Sequence, residues 1–124
     1  MTKPRLLVID DEPNFSKFVA RVAAAQGFEV EVTNCGKDFM AAVPRFQPDL
    51  IVLDIVMPDI DGIELIQWLA AQGARRRVII ASGFNPQYAD MAQILGNTSG
   101  VLSVTTLPKP VALGDLQRAL ASGA

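Results

Sequence analysis

The stretch RLLVIDDEP, residues 5–13, runs through four apolar side chains, then three acids and a proline. An apolar run without polar alternation reads as a parallel strand covered on both faces. Pro13 suits the first turn of a helix, where its missing N–H satisfies nothing anyway. Phe15, Phe18, Val19, Val22 and Ala23 then share one helical face, and Gly27 supplies a stop. The stretch is therefore the joint of a βα unit, and its acids mark the strand's carboxyl end.

The unit recurs. LIVLDIV (50–56) and VIIAS (78–82) are further continuous apolar strands, and a fifth lies within VLSVTTL (101–107). EVEVT (29–33) alternates, which predicts an edge strand with one wetter face. Between them the pattern predicts helices over Lys37–Val43, stopped by Pro44, and Ile63–Ala71, stopped by Gly73. Two more cover Pro86–Leu95, closed by Gly96, and a last turn-repeat of Leu113, Leu116 and Leu120. Five βα repeats imply an α/β fold, a doubly wound parallel sheet with right-handed crossovers and helices on both faces. With continuous strands in the middle and the alternating one outside, the order is 2-1-3-4-5, as in flavodoxin-like sheets.

Composition bounds the function. The 124 residues are 50% hydrophobic, enough for one domain over 1–124 with a core at about 4–121, and no linker or output domain is visible. A formal charge of −2 gives no footprint for direct nucleic-acid or membrane binding. No apolar run approaches the ~20 residues that span a bilayer, and the start lacks a signal-peptide pattern. The single cysteine, Cys35, excludes an internal disulfide and suits the cytoplasm. The absence of histidine excludes Ser-His and Cys-His catalysis.

In an open α/β sheet, ligands bind beyond the carboxyl ends of the strands, where strand order reverses. Strand one ends in Asp10 and Asp11, strand three in Asp54, strand four in Ser82 and Gly83, and strand five leads into Lys109. Three carboxylates in one crevice repel unless a cation joins them, and an all-oxygen set suits Mg²⁺. An ammonium, a hydroxyl and a backbone N–H around one carboxylate suit a transferring phosphoryl group. Each feature alone has an ordinary reading, as a solvated turn, a strand-end hydroxyl or a surface lysine. Their conjunction at one rim favours function.

LLVIDDEP, PDLIVLDIVMPDIDGIEL, VIIASG and LPKP together resemble the receiver domain of two-component response regulators, across almost the whole chain. The resemblance implies that Asp54 is the phosphoacceptor, taking phosphorus from a histidine kinase or phosphotransfer protein. It implies Mg²⁺, with Mn²⁺ as a substitute, held by Asp10, Asp11, Asp54 and the Val56 carbonyl. Lys109 would pair with a phosphoryl oxygen, Ser82 would report its arrival, and Met57-Pro58 and Asp61-Gly62 would shape the loop after strand three. Such a domain is a phosphoacceptor that catalyses its own phosphorylation and dephosphorylation, not an enzyme with a released product. Homodimerisation on phosphorylation and docking to an output partner are further outcomes the resemblance allows.

The chain departs from the family at three points. Thr106 stands where an aromatic residue is usual, so signalling is expected through backbone shifts of strands four and five. The interval from Gly96 to Lys109 is long, and residues 82–110 resemble receivers coupled to cyclic-di-GMP phosphodiesterase domains. The sequence given shows no output domain, so it is expected either to work alone by docking to partners or to be a piece of a longer protein. Three other classes compete: a phosphorylation-independent pseudo-receiver, an aspartate-nucleophile phosphatase and a flavin carrier. Adjacent rather than alternate acids disfavour the phosphatase, and DDEPN would repel a flavin phosphate. RRR at 75–77 reads as solvated loop, Trp68 as packing, and Met40, Met57 and Met91 as gap fillers. Glu12 reads as a solvated acid at a helix start.

Overall fold

The computed structural model describes residues 3–55, 59–83 and 86–121. Five parallel strands, β1 (Arg5–Ile9), β2 (Glu29–Thr33), β3 (Leu50–Asp54), β4 (Arg76–Ser82) and β5 (Leu102–Pro108), form one sheet in the order β2-β1-β3-β4-β5. Helices α1 (Pro13–Ala25), α2 (Gly36–Phe46), α3 (Gly62–Ala71), α4 (Pro86–Thr98) and α5 (Leu113–Ala121) follow the strands in turn. The doubly wound sheet and its strand order are as the sequence predicts.

Alternate strand residues point to opposite faces, which sorts the apolar runs into two cores. Leu7, Ile9, Ile51 and Leu53 pack under α2 and α3 against Phe39, Leu65 and Leu69. Leu6, Val8, Val52 and Ile79 pack under α1 and α5 against Val19, Val22, Leu116 and Leu120. Both faces of β1 and β3 are therefore dry, as their unbroken apolar sequences require. β2 lies at the sheet edge as its alternating sequence predicts, but the wetter positions do not follow the glutamates, since Val32 is exposed and Glu31 half-buried. Trp68 packs edge-on to Phe39, with ring centres 6.3 Å apart.

Several expected boundaries move, each for a physical reason. Pro44 lies inside α2 rather than ending it. In the last turn a proline forfeits only one intrahelical bond, and the helix reaches Phe46, which packs on the core. Gln47, in the left-handed region at φ 52°, then closes it, donating its N–H to the Val43 carbonyl at 2.9 Å.

Gly96 does not end α4, which continues to Thr98. A Cβ at Gly96 would stand 2.4 Å from Val104 Cγ2, so the glycine serves the close approach of α4 to β5. The next residue, Asn97, uses its side-chain amide to accept from Val104 N at 2.8 Å and donate to Val104 O at 3.2 Å, covering the open edge of β5. Met91 is 53% exposed and fills no gap, whereas Met40 is partly buried against the core.

The arginines also differ from expectation. Arg76 and Arg77 belong to β4, not to a solvated loop, and Arg76 is buried. Arg77 donates to the carbonyls of Ala119 at 2.6 Å and Leu120 at 3.3 Å, the negative end of the α5 dipole. No helix among the described residues is long and apolar enough to cross a membrane.

Candidate functional site

Strand register assembles the site. Ile9 pairs with Leu53, so the next residues, Asp10 and Asp54, leave adjacent strands side by side. Asp54 pairs with Ala81, and Ser82 pairs with Pro108, which brings Ser82 and Lys109 to the same rim. The Lys109 N–H donates to the Ser82 carbonyl at 2.9 Å, tying the two strand ends together. The Lys109–Pro110 peptide bond is cis.

The three acids meet as expected: one carboxylate oxygen each from Asp10, Asp11 and Asp54 lies within 4.8 Å of the others. Asp10 is 1% exposed, Asp54 half-buried and Asp11 exposed. Lys109 Nζ donates to Asp10 Oδ2 at 2.9 Å and to Asp54 Oδ2 at 3.2 Å. Two full charges 4.8 Å apart repel by about 3.5 kcal/mol at an effective dielectric of ~20. Among the described residues one ammonium faces these three carboxylates, an excess of two negative charges that matches the charge of a divalent cation.

Burial pushes the Asp10 carboxyl above its ordinary range, and the Asp54 charge adds to the push. The Glu12 N–H, donating to Asp10 Oδ1 at 2.7 Å, and Lys109 act in the opposite sense without winning. For Lys109, burial pulls the ammonium down, but the hydrogen bond and charge of Asp10, then those of Asp54, outweigh it and hold it above the usual value. The lysine is thus firmly cationic.

Ser82 completes the rim in an unusual state. Its Oγ is buried and has no hydrogen-bond partner among the described residues. A buried hydroxyl without a partner is costly, and an acceptor arriving at this rim would satisfy it. Gly83 and Thr106 border a cavity of about 240 Å³ that also includes Ser82, Ala89 and Lys109 in its wall. The short side chain of Thr106, half-buried on β5, leaves that space open.

Two contributors escaped the sequence reading. Phe15, expected only to face the core, places its ring 4.4 Å from Lys109 Nζ, a cation–π contact that holds the ammonium over the acids. Tyr88, on α4, donates its hydroxyl to Asp61 Oδ1, the same atom that accepts from Ile63 N at 2.7 Å and caps α3. That hydrogen bond, more than burial, raises the Tyr88 phenol to about 12. Neither contact follows any linear spacing, since each joins residues far apart in the chain. Gly62 has a steric role: a Cβ there would lie 2.6 Å from the Ile55 carbonyl oxygen. Glu12 is exposed at the α1 N-cap, as expected of a solvated acid, although its backbone N–H holds Asp10. The expected Val56 carbonyl ligand, with Met57 and Pro58, lies outside the described residues.

With this geometry established, comparison with known proteins decides the family. The response regulator receiver domain pattern matches residues 6–121. The chain belongs to that family. Among its relatives, the transcriptional regulatory protein TrcR of Mycobacterium tuberculosis is 30% identical over 112 residues, 90% of this chain and 42% of TrcR. The transcriptional activator protein PfeR of Pseudomonas aeruginosa is 33% identical over 113 residues, 91% of this chain and 35% of PfeR. The chain thus spans less than half the length of either relative. The receiver domain of the Francisella response regulator 1452 superposes with a TM-score of 0.77 at 30% identity, covering 94% of this chain and 93% of that one. Receiver domains of two-component systems signal through phosphorylation and hold Mg²⁺ at an acidic cluster, which here is Asp10, Asp11 and Asp54. Membership implies a kinase or phosphotransfer protein as partner.

Proposed function

We propose that this receiver domain takes its phosphoryl group on Asp54. An Asp54 carboxylate oxygen attacks the phosphorus of a phosphohistidine on the donor protein. The P–N bond breaks, its electron pair leaves with the imidazole, which takes a proton from water, and an acyl phosphate remains. Asp10, Asp11 and Asp54 would hold the metal, with the Val56 carbonyl as a further expected ligand, and Mn²⁺ would substitute for Mg²⁺. Mg²⁺ bound there supplies Lewis-acid stabilisation for charge on the phosphoryl oxygens.

The chain's own residues do the rest. Lys109 exchanges its contact with Asp54 for one with a phosphoryl oxygen, steered by Asp10 and the Phe15 ring. Ser82 turns its idle hydroxyl to a second oxygen, with the Gly83 N–H beside it. Thr106 offers no ring to swing into the neighbouring space, so the change passes to partners through shifts of β4 and β5. The observation that carries the reading is the set of three carboxylates within 4.8 Å, with one lysine and a buried serine hydroxyl that has no partner among the described residues at the same rim.

The domain is accordingly a cytoplasmic phosphoacceptor that catalyses its own phosphorylation and dephosphorylation. Its output is exerted by docking to a partner, by dimerisation, or by a further domain. The relatives' names point to transcriptional regulation, and the resemblance over 82–110 points to a cyclic-di-GMP phosphodiesterase domain. Incubation with acetyl phosphate and Mg²⁺, read by intact mass, tests the acceptor. One added phosphate is expected on wild type and none on Asp54→Ala or with chelator. An unlabelled wild type would return the chain to the pseudo-receiver reading.

A further inference from the structure

Arg76 opens β4 at the end of the sheet opposite Ser82, about 20 Å away at ~3.3 Å per residue along the strand. It is 6% exposed. Its Nε donates to the Pro48 carbonyl at 3.0 Å, but Nη1 is buried with no hydrogen-bond partner among the described residues. No carboxylate among them lies within ion-pair distance of this guanidinium. Asp49, near enough to act on it through its charge, already accepts from Arg5 N through Oδ2 at 2.9 Å. A buried guanidinium with an idle donor is costly, and a leucine or methionine would fill the position at lower cost. Nothing in phosphoacceptor chemistry at the other rim uses it.

Arg76 forms part of the wall of a cavity of about 280 Å³, together with Asp49, Arg75, Gly100, Leu102 and Ser103. Arg75 is exposed, and Ser103 adds an exposed residue with a hydroxyl. Arg77 turns its guanidinium to α5, so Arg75 and Arg76 supply the cavity's positive charge. We propose that this cavity is a second ligand site, one that binds a small phosphate-bearing anion between Arg75 and Arg76. Nε fixes the Arg76 guanidinium on the Pro48 carbonyl, and a planar guanidinium is the group whose N–H fork phosphate oxygens match. The exposed Arg75 provides a second, adaptable arm, and Asp49 leaves the pair with an excess positive charge.

The test uses the full chain with inorganic phosphate as probe, in chelator, so that the acidic rim repels it. Amide correlation spectra at constant ionic strength are expected to show saturable shifts at residues 75–77 and 100–103 that chloride does not produce. Arg75→Gln, at an exposed position, should fold normally and weaken binding roughly tenfold, the scale of removing one charge-assisted hydrogen bond. Arg76→Lys should weaken it as well, and should Arg76 variants not fold, Arg75→Gln decides. In a second arm, adenosine monophosphate binding more tightly than phosphate would identify a phosphorylated metabolite, and equal binding would identify phosphate itself. Shifts that never saturate, that map to Asp10 and Asp54 instead, or that survive Arg75→Gln unchanged would overturn the proposal.

Discussion

Asp11→Asn separates the cost of the acidic cluster from its use. Asp11 is the exposed member, and no lysine or arginine among the described residues bridges it, whereas Lys109 bridges the other two. At 4.8 Å each pairing of its charge with Asp10 or Asp54 is worth about 3.5 kcal/mol of repulsion at a dielectric of ~20. Solvent and salt reach Asp11, so the relief on neutralising it falls to about 1 kcal/mol. For a chain of 124 residues that raises the melting temperature by roughly 3–5 °C in chelator. Saturating Mg²⁺ reverses the ranking. A ligand at a hundredfold its dissociation constant stabilises by about 2.7 kcal/mol, or roughly 10 °C here, and an amide oxygen is a poor substitute for a charged ligand. Thermal melts followed by circular dichroism, with and without Mg²⁺, should therefore cross: the variant is the more stable protein without metal and the less stable with it. A variant that melts below wild type in chelator, or that retains the full Mg²⁺ increment, refutes the electrostatic reasoning.

Asp10 should titrate above 3.8 in carboxyl ¹³C spectra of the metal-free protein. Because its folded value is raised, its contribution to stability is fully present below about pH 3.8 and is lost as pH rises through the folded value. Mg²⁺ should drive that midpoint down, and no movement would remove Asp10 from the metal site. Tyr88 is the chain's single tyrosine, so absorbance near 295 nm reports it alone. Its midpoint is expected at about 12, falling toward 10 in Asp61→Ala, and an unchanged midpoint would break the Asp61 assignment. Gly96→Ala sets a clash with Val104, about 1–3 kcal/mol of overpacking, against a helix-propensity gain of about 1 kcal/mol. Net destabilisation is expected in denaturant melts, with recovery in the double variant Gly96→Ala/Val104→Ala, and a more stable single variant would contradict the packing.

The reach of the sequence can be seen by comparing Gly27 with Gly96. Both look alike in a helical pattern, yet Gly27 sits at φ 97°, ending α1 as expected, while Gly96 is buried inside the last turn of α4 against β5. Local backbone demand leaves a local trace, but a close approach between elements does not. Pro44 teaches the same lesson from the other side, since tertiary packing of Phe46 carries the helix past a residue that locally ends one. Arg76 and Arg77 read as solvent because charge runs usually are solvated, and their partners, Pro48 and the end of α5, lie 28 and 42 or 43 positions away.

The acidic site was legible for a topological reason. A parallel sheet sends every strand in the same direction, so each strand's last residue necessarily arrives at one rim, and strand order then fixes which ends are neighbours. Asp10, Asp54, Ser82 and Lys109 could therefore be grouped from their places at the ends of apolar runs, and the register of β1, β3, β4 and β5 brings them there. Phe15 and Tyr88 obey no such rule. Each reaches the site from a helix, where side-chain direction depends on how the helix is rotated and set down on the sheet. A strand end identifies residues that can reach the acids, while helix docking decides which groups restrain them, and in this protein the restraint on Lys109 comes partly from an aromatic face whose sequence position marks it only as core.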